Sequence, residues 1–121
     1  MIPKQPAPID MGILIDSSND VSDTEWQKMA KLAKDIVDSS NPNPSGNRIG
    51  VIPYGSDATP SIKFDSLSGD KLNSDEIKRA IDRIPRQPRG ERRLDEALEA
   101  AEKELFNYTA GARSNARRVI N

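Results

Sequence analysis

The segment Ile13-Leu14-Ile15-Asp16-Ser17-Ser18-Asn19-Asp20 constrains this chain more than any other. A short apolar run ends abruptly at a carboxylate, then continues with hydroxyls and a second carboxylate. Such a run, bounded by polar turn formers, reads as a buried strand. In an open α/β sheet, ligands bind outside the carboxyl ends of the strands. Asp16, Ser18 and Asp20 are therefore expected together at the mouth of the sheet. Carboxylate and hydroxyl oxygens converging on one point suit a hard divalent cation, Mg2+ or Ca2+.

The rest of the chain alternates strand and helix signals, which predicts an α/β fold with a mostly parallel sheet. Residues 1–9 hold three prolines and read as an extended lead-in, with one domain over 10–121. Met11 to Ile15 is the first predicted strand. Ser22-Asp23-Thr24-Glu25 has the pattern of a capping box. The helix it opens carries Trp26, Met29, Ala30, Ala33, Ile36 and Val37 along one stripe, which reads as core. Two Asn-Pro steps between Ser39 and Gly46 end it. Arg48 to Tyr54 is the second strand and Ser61 to Phe64 a short third. Asn73 or Ser74 caps a second helix with Ile77, Ala80, Ile81 and Ile84 apolar. Pro85 to Gly90 breaks it. A third helix spans Arg93 to Phe106, with Leu94, Ala97, Leu98, Ala101 and Leu105 inward. Arg117 to Asn121 starts a strand.

Composition removes several function classes. The chain has 18 basic and 19 acidic residues, so no global charge draws it to nucleic acid or to a membrane surface. Aromatics are 4% of the chain, which leaves no platform for stacking bases. No apolar run approaches the ~20 residues that span a bilayer, so no membrane insertion is expected. The opening Met1-Ile2-Pro3-Lys4 lacks the apolar core of a signal peptide. Cysteine and histidine are absent. Disulfides, thiol chemistry, Cys/His zinc sites and Ser-His triads are thereby excluded. No glycine-rich phosphate loop or dinucleotide fingerprint is present. Asn107-Tyr108-Thr109 is an acceptor sequon, with Asn107 the glycosylation site if the chain is secreted.

Three segments together resemble the von Willebrand factor A domain family, in its matrilin- and collagen-like matrix type related to integrin I domains. The family's metal motif begins Asp-x-Ser-x-Ser after the first strand. It reads Asp16-Ser17-Ser18-Asn19-Asp20 here, with Asp in place of the last Ser. Arg48-Ile49-Gly50-Val51-Ile52-Pro53-Tyr54 resembles the second strand, and Leu94-Asp95-Glu96-Ala97-Leu98 the start of a later helix. The resemblance implies a Rossmann-like, doubly wound fold in which Ser61 to Phe64 is an antiparallel edge strand. It implies no enzyme but an extracellular, secreted adhesion or matrix module that binds matrix proteins, collagen among them. It also implies a C-terminally truncated domain. In the family the last strand leads into an Asp-Gly pair that adds a metal-site carboxylate, then into further strands and helices. An unpaired sheet edge would result, open to oligomers.

The resemblance also exposes a departure. The family places a Thr before the third helix as a metal ligand, and Arg92 occupies the matching position. A guanidinium is always charged and cannot coordinate a cation. Three readings stay open: a metal site with Arg92 turned away, a structural module with a lapsed site in which Arg92 or Arg93 pairs with Asp16 or Asp20, and ordinary turn residues. Arg83, Arg86, Arg89, Arg92 and Arg93 flank the same mouth. They could receive an acidic segment or a sulfated glycan, or pair locally with Asp82, Glu91 and Asp95. An Asp-based phosphotransfer or hydrolase domain is a further alternative. It is disfavoured because Ser18 stands where a dehalogenase-like enzyme needs its second Asp. A response-regulator receiver would need an acidic pair after its first strand, and Ile15-Asp16 supplies none.

Overall fold

Among the described residues, strand β1, Ile9–Asp16, is the middle strand of a three-stranded parallel sheet. The computed structural model describes residues 8–43, 46–67, 69–84, 90–106 and 112, and the backbone of 117–120. Strand β2, Arg48–Tyr54, lies on one side of β1 and strand β3, Arg117–Ile120, on the other. In this register Ile13 faces Val51, Asp16 faces Tyr54 and Gly12 faces Ile120. Both β1 and β2 are apolar almost throughout because both faces of the sheet are covered.

The two faces follow the period of two along the strands. Ile13, Ile15, Ile49 and Val51 point to one side. There they meet Trp26, Ala33 and Val37 of helix α1, Asp23–Ser40, and Ile77 and Ile81 of helix α2, Ser74–Asp82. Ile52 points the other way, into a core with Phe64, Ala100, Ala101, Leu105 and Phe106, and Leu14 packs against it. That second core belongs to helix α3, Leu94–Ala100, and the single π turn Ala101–Leu105 that continues it. Local signals start the first two helices. Ser22 and Glu25 form a reciprocal capping box, each bond 3.2 Å. Asn73 Oδ1 accepts from the Glu76 N–H at 3.0 Å. α1 ends at Asn41 in a left-handed conformation, φ 47°.

Two glycines bring the last helix close to the sheet. A Cβ on Gly50 would stand 2.3 Å from Leu105 Cδ1, and one on Gly12 would stand 2.9 Å from Leu105 Cδ2. Only a bare backbone on β1 and β2 admits Leu105 at this depth.

The structure corrects the sequence reading at three places. First, the antiparallel edge strand over Ser61–Phe64 does not form. One isolated bridge, Val51 to Ile62, stands in its place. In this register Pro53 and Pro60 fall opposite each other and stop the ladder on one side of the bridge. On the other, a turn takes the chain out of the sheet, with the Ser66 N–H donating to the Lys63 carbonyl at 3.1 Å and the Lys63 N–H to Ser66 Oγ at 2.8 Å. Second, Leu94 and Leu98 do not point inward; they are 50% and 44% exposed. The buried stripe is Ala97, Ala100, Ala101 and Leu105, because small side chains suit the close approach over the glycines. Third, the predicted helix of Arg93 to Phe106 is not uniform. The wide π turn after Ala100 re-phases the chain so that Leu105 and Phe106 both bury.

Candidate functional site at the mouth of the sheet

The carboxyl ends of β1 and β2 meet where the sequence changes from apolar to polar. The Ser17 N–H donates to the Tyr54 carbonyl at 2.7 Å, which holds the two strand ends together. Asp16 then turns the chain: its Oδ1 accepts from the Ser18 N–H at 2.9 Å. This tight turn draws Ser17 and Ser18 fully inside, each 0% exposed. Asn19 and Asp20 remain exposed at the rim.

A second loop closes over the first. The Asn19 N–H donates to the Gly90 carbonyl at 2.8 Å. The Gly90 N–H returns a bond to Asn19 Oδ1 at 3.2 Å. Gly90 adopts φ +83°, a region that glycine enters freely, and a Cβ there would meet Ser56 Oγ at 2.5 Å. The Arg93 N–H donates to the Gly55 carbonyl at 3.0 Å, so the loop before α3 is tied to both strand ends. Arg92, between these ties, extends over Asp16. Its Nε donates to Asp16 Oδ2 in a direct ion pair.

The charges follow from this geometry. Partial burial pushes the Asp16 carboxyl up, but the Ser18 N–H, the Ser18 hydroxyl and the Arg92 guanidinium together outweigh it and hold the group below its ordinary value. The Ser18 hydroxyl is near enough to favour the charged carboxylate, yet Ser18 Oγ is buried and completes no hydrogen bond with a described residue. Tyr54 is raised by burial and by the Asp16 charge. Arg92 is raised chiefly by its bond to Asp16, with a weaker field from Asp20.

The structure thus brings Asp16 and Ser18 together and leaves Asp20 at the rim. Asn107 lies outside the described residues, as do Arg86 and Arg89. Among the others of the arginine group, Arg93 pairs with Asp95 at 2.7 Å and Glu96 at 3.6 Å. Asp82 pairs with Lys34 instead, at 2.9 Å. Among the described residues no group of three or more carboxylates is close enough to hold a metal ion. The donor set at the mouth fits a divalent cation in one respect, because a buried hydroxyl oxygen without a partner stands beside a carboxylate. It opposes one in another, because the outer oxygen of that carboxylate already holds a permanent cation. A metal at Asp16 Oδ2 and Arg92 exclude each other.

Sequence reasoning missed Asn19, Gly55 and Gly90, which position Arg92. Gly90 ends a Pro- and Arg-rich stretch, and a glycine there signals a backbone turn. The bonds at Asn19 N and Gly55 O are made by backbone atoms and carry no side-chain signature.

The sequence profile of the von Willebrand factor type A domain matches residues 10–120. Solved structures of proximal thread matrix protein 1 from the mussel byssus share the fold. One, crystal form 2, superposes with a TM-score of 0.84 over 94% of this chain at 17% identity. Another, described as having a zinc-occupied MIDAS motif, gives a TM-score of 0.78 over 94% of this chain at 25% identity. A third gives 0.71 over 83% at 26% identity. The chain spans 30%, 28% and 25% of those chains, respectively.

Proposed function

The chain belongs to the von Willebrand factor type A domain family, and on that premise we propose an extracellular, secreted matrix-binding module whose binding face is the mouth of the sheet. Its partners are matrix proteins, with collagen the first to test. The Asp16–Arg92 pair carries this reading: a charged contact, half open to solvent, is held rigidly where α/β folds bind ligands. The likeness to a protein described as a byssus matrix protein supports the matrix setting. Among the described residues no helix is long and apolar enough to cross a membrane. Both Asp16 oxygens are engaged, which favours binding over covalent chemistry at this carboxylate. In a secreted protein Asn107 would carry an N-linked glycan.

A metal-loaded mouth is the second reading, favoured by the unpartnered Ser18 Oγ. Asp16, Ser18 and Asp20 would hold Mg2+ or Ca2+. The ion would supply a positive centre at the rim once Arg92 has swung away. Titration of Mg2+, Ca2+ and Zn2+ onto wild type and Arg92→Thr separates the two. An arginine-held site predicts weak binding to wild type and binding at least about tenfold tighter to the variant, as removal of a contacting charge allows. Tighter binding to wild type than to the variant would refute it. Immobilised collagen, with Asp16→Ala as the loss-of-function control, tests the binding face itself.

A further inference from the structure

We infer that Arg92 is a tethered cation through which this domain recognises a carboxylate on a partner protein directly, without a metal. The inference rests on the reading of the mouth as the binding face, and names what that face takes.

Three observations carry it. First, the guanidinium is only half used. Nε is engaged by Asp16, whereas Nη1 and Nη2 have no partner among the described residues, and the side chain is 52% exposed. A guanidinium whose outer edge is free presents a planar fork of N–H donors, the shape that a carboxylate accepts with two parallel bonds. Second, the fork is held ready. Asp16, its side chain 12% exposed, fixes Nε, and the Ser18 N–H fixes Asp16. The Asn19–Gly90 clasp and the Arg93–Gly55 bond fix the backbone on both sides of Arg92. An arginine immobilised in advance loses little further freedom when a ligand arrives. Third, the next cation along the chain is not free to do the same. Arg93 spends its guanidinium on Asp95, with bonds of 3.0 and 2.7 Å.

The neighbouring charges shape the recognition. Asp16 offsets the Arg92 charge, and Asp20 adds a negative field at the rim without touching the guanidinium. Attraction therefore comes from the short-range fork, not from a positive surface. Asp20 weakens it, which provides a decisive sign. In a metal-held mouth Asp20 is a ligand, and removing its charge loosens binding. In an arginine-held mouth Asp20 repels the incoming carboxylate, and removing its charge tightens binding.

The test is a titration of the full chain, in EDTA, with an end-blocked peptide bearing one glutamate among glycines, followed by NMR amide shifts. Shifts are expected at Asn19, Gly90 and Arg92, with the glutamine version of the peptide at least about tenfold weaker, as for loss of a charged hydrogen-bond partner. Arg92→Ala should abolish the shifts. Arg92→Lys, which keeps the charge but not the fork, should weaken them several-fold. Asp20→Asn should strengthen them. Equal binding by wild type and Arg92→Ala overturns the inference. Binding that appears only with added Mg2+, Ca2+ or Zn2+ and falls in Asp20→Asn overturns it while leaving the mouth as the binding face. No shift at the mouth with or without metal overturns both.

Discussion

Ser18→Ala should make the protein more stable. Its hydroxyl is 0% exposed and has no hydrogen-bond partner among the described residues. A buried, unsatisfied hydroxyl costs about 1–3 kcal/mol relative to its hydration in the unfolded chain. Removing the oxygen forfeits a few dispersion contacts, each worth about 0.1–0.2 kcal/mol. It also removes a dipole that favours the Asp16 carboxylate, which subtracts from the gain. The Asx turn survives, because its donor is the Ser18 backbone N–H. The balance is a gain of roughly 1 kcal/mol, or about 3–5 °C in Tm for a domain of this length. Urea unfolding at neutral pH in EDTA should show a raised midpoint with an unchanged slope. Ser17→Ala is the control. Ser17 is equally buried, but its side-chain oxygen is not among the buried atoms left without a partner, so this variant should gain nothing. A Ser18→Ala variant less stable than wild type by 1 kcal/mol or more would refute the reasoning, since it would mean that the hydroxyl is bonded.

Other consequences are more direct. The Asp16 pKa is lowered in the fold, so the stabilisation it brings is complete above the ordinary carboxylate range and is lost as pH falls through the lowered value. Arg92→Ala should flatten that part of a stability-versus-pH curve measured by urea midpoints. Gly50→Ala forces a methyl to 2.3 Å from Leu105 Cδ1 and 2.9 Å from the Ile62 carbonyl, and should cost about 1–3 kcal/mol in the same assay. Asn73→Ala removes the side-chain cap of α2 and should cost about 1 kcal/mol, read by calorimetry.

The parts of the fold legible in the sequence are those specified by near neighbours. Arg48–Tyr54 carries its strand boundaries in its near neighbours: Gly46 and Asn47 before it, Gly55 and Ser56 after it. The Ser22 box and the Asn73 cap are likewise complete within four residues. What the sequence concealed depends on partners distant along the chain. Periodicity assigned Leu94 and Leu98 to the core, since they fall at helical spacing with Ala97, Ala101 and Leu105. The face that buries is chosen instead by how closely α3 can approach the sheet. Gly12 and Gly50 leave room for one deep Leu105 beside alanines, and the larger leucines rotate outward. The third strand failed for two reasons. Ser61 to Phe64 has apolar alternation, but Pro53 and Pro60, opposite each other only once the register is known, stop the ladder on one side of the Val51–Ile62 bridge. The Lys63–Ser66 turn takes the chain out of the sheet on the other.

The mouth divides along the same line. Asp16 and Ser18 were legible because a strand that ends in a carboxylate has few places to put it. The contact of Arg92 with Asp16 was legible as one of several pairings, because a permanent cation replaced a hydroxyl beside a carboxylate. Why Arg92 and not Arg93 takes the pair is a matter of backbone. The Arg93 N–H is anchored on the Gly55 carbonyl at 3.0 Å, and its side chain turns back to Asp95. The Asn19–Gly90 clasp sets the preceding residues, so that Arg92 is the one between two fixed points and over the strand end. The clasp depends on φ +83° at Gly90, beside Ser56, where a side chain would both strain the backbone and collide. The backbone anchors at Gly90 and Gly55, together with the Arg93–Asp95 pair, therefore decide which cation stands at the mouth. Charge chemistry alone could not have told the two arginines apart.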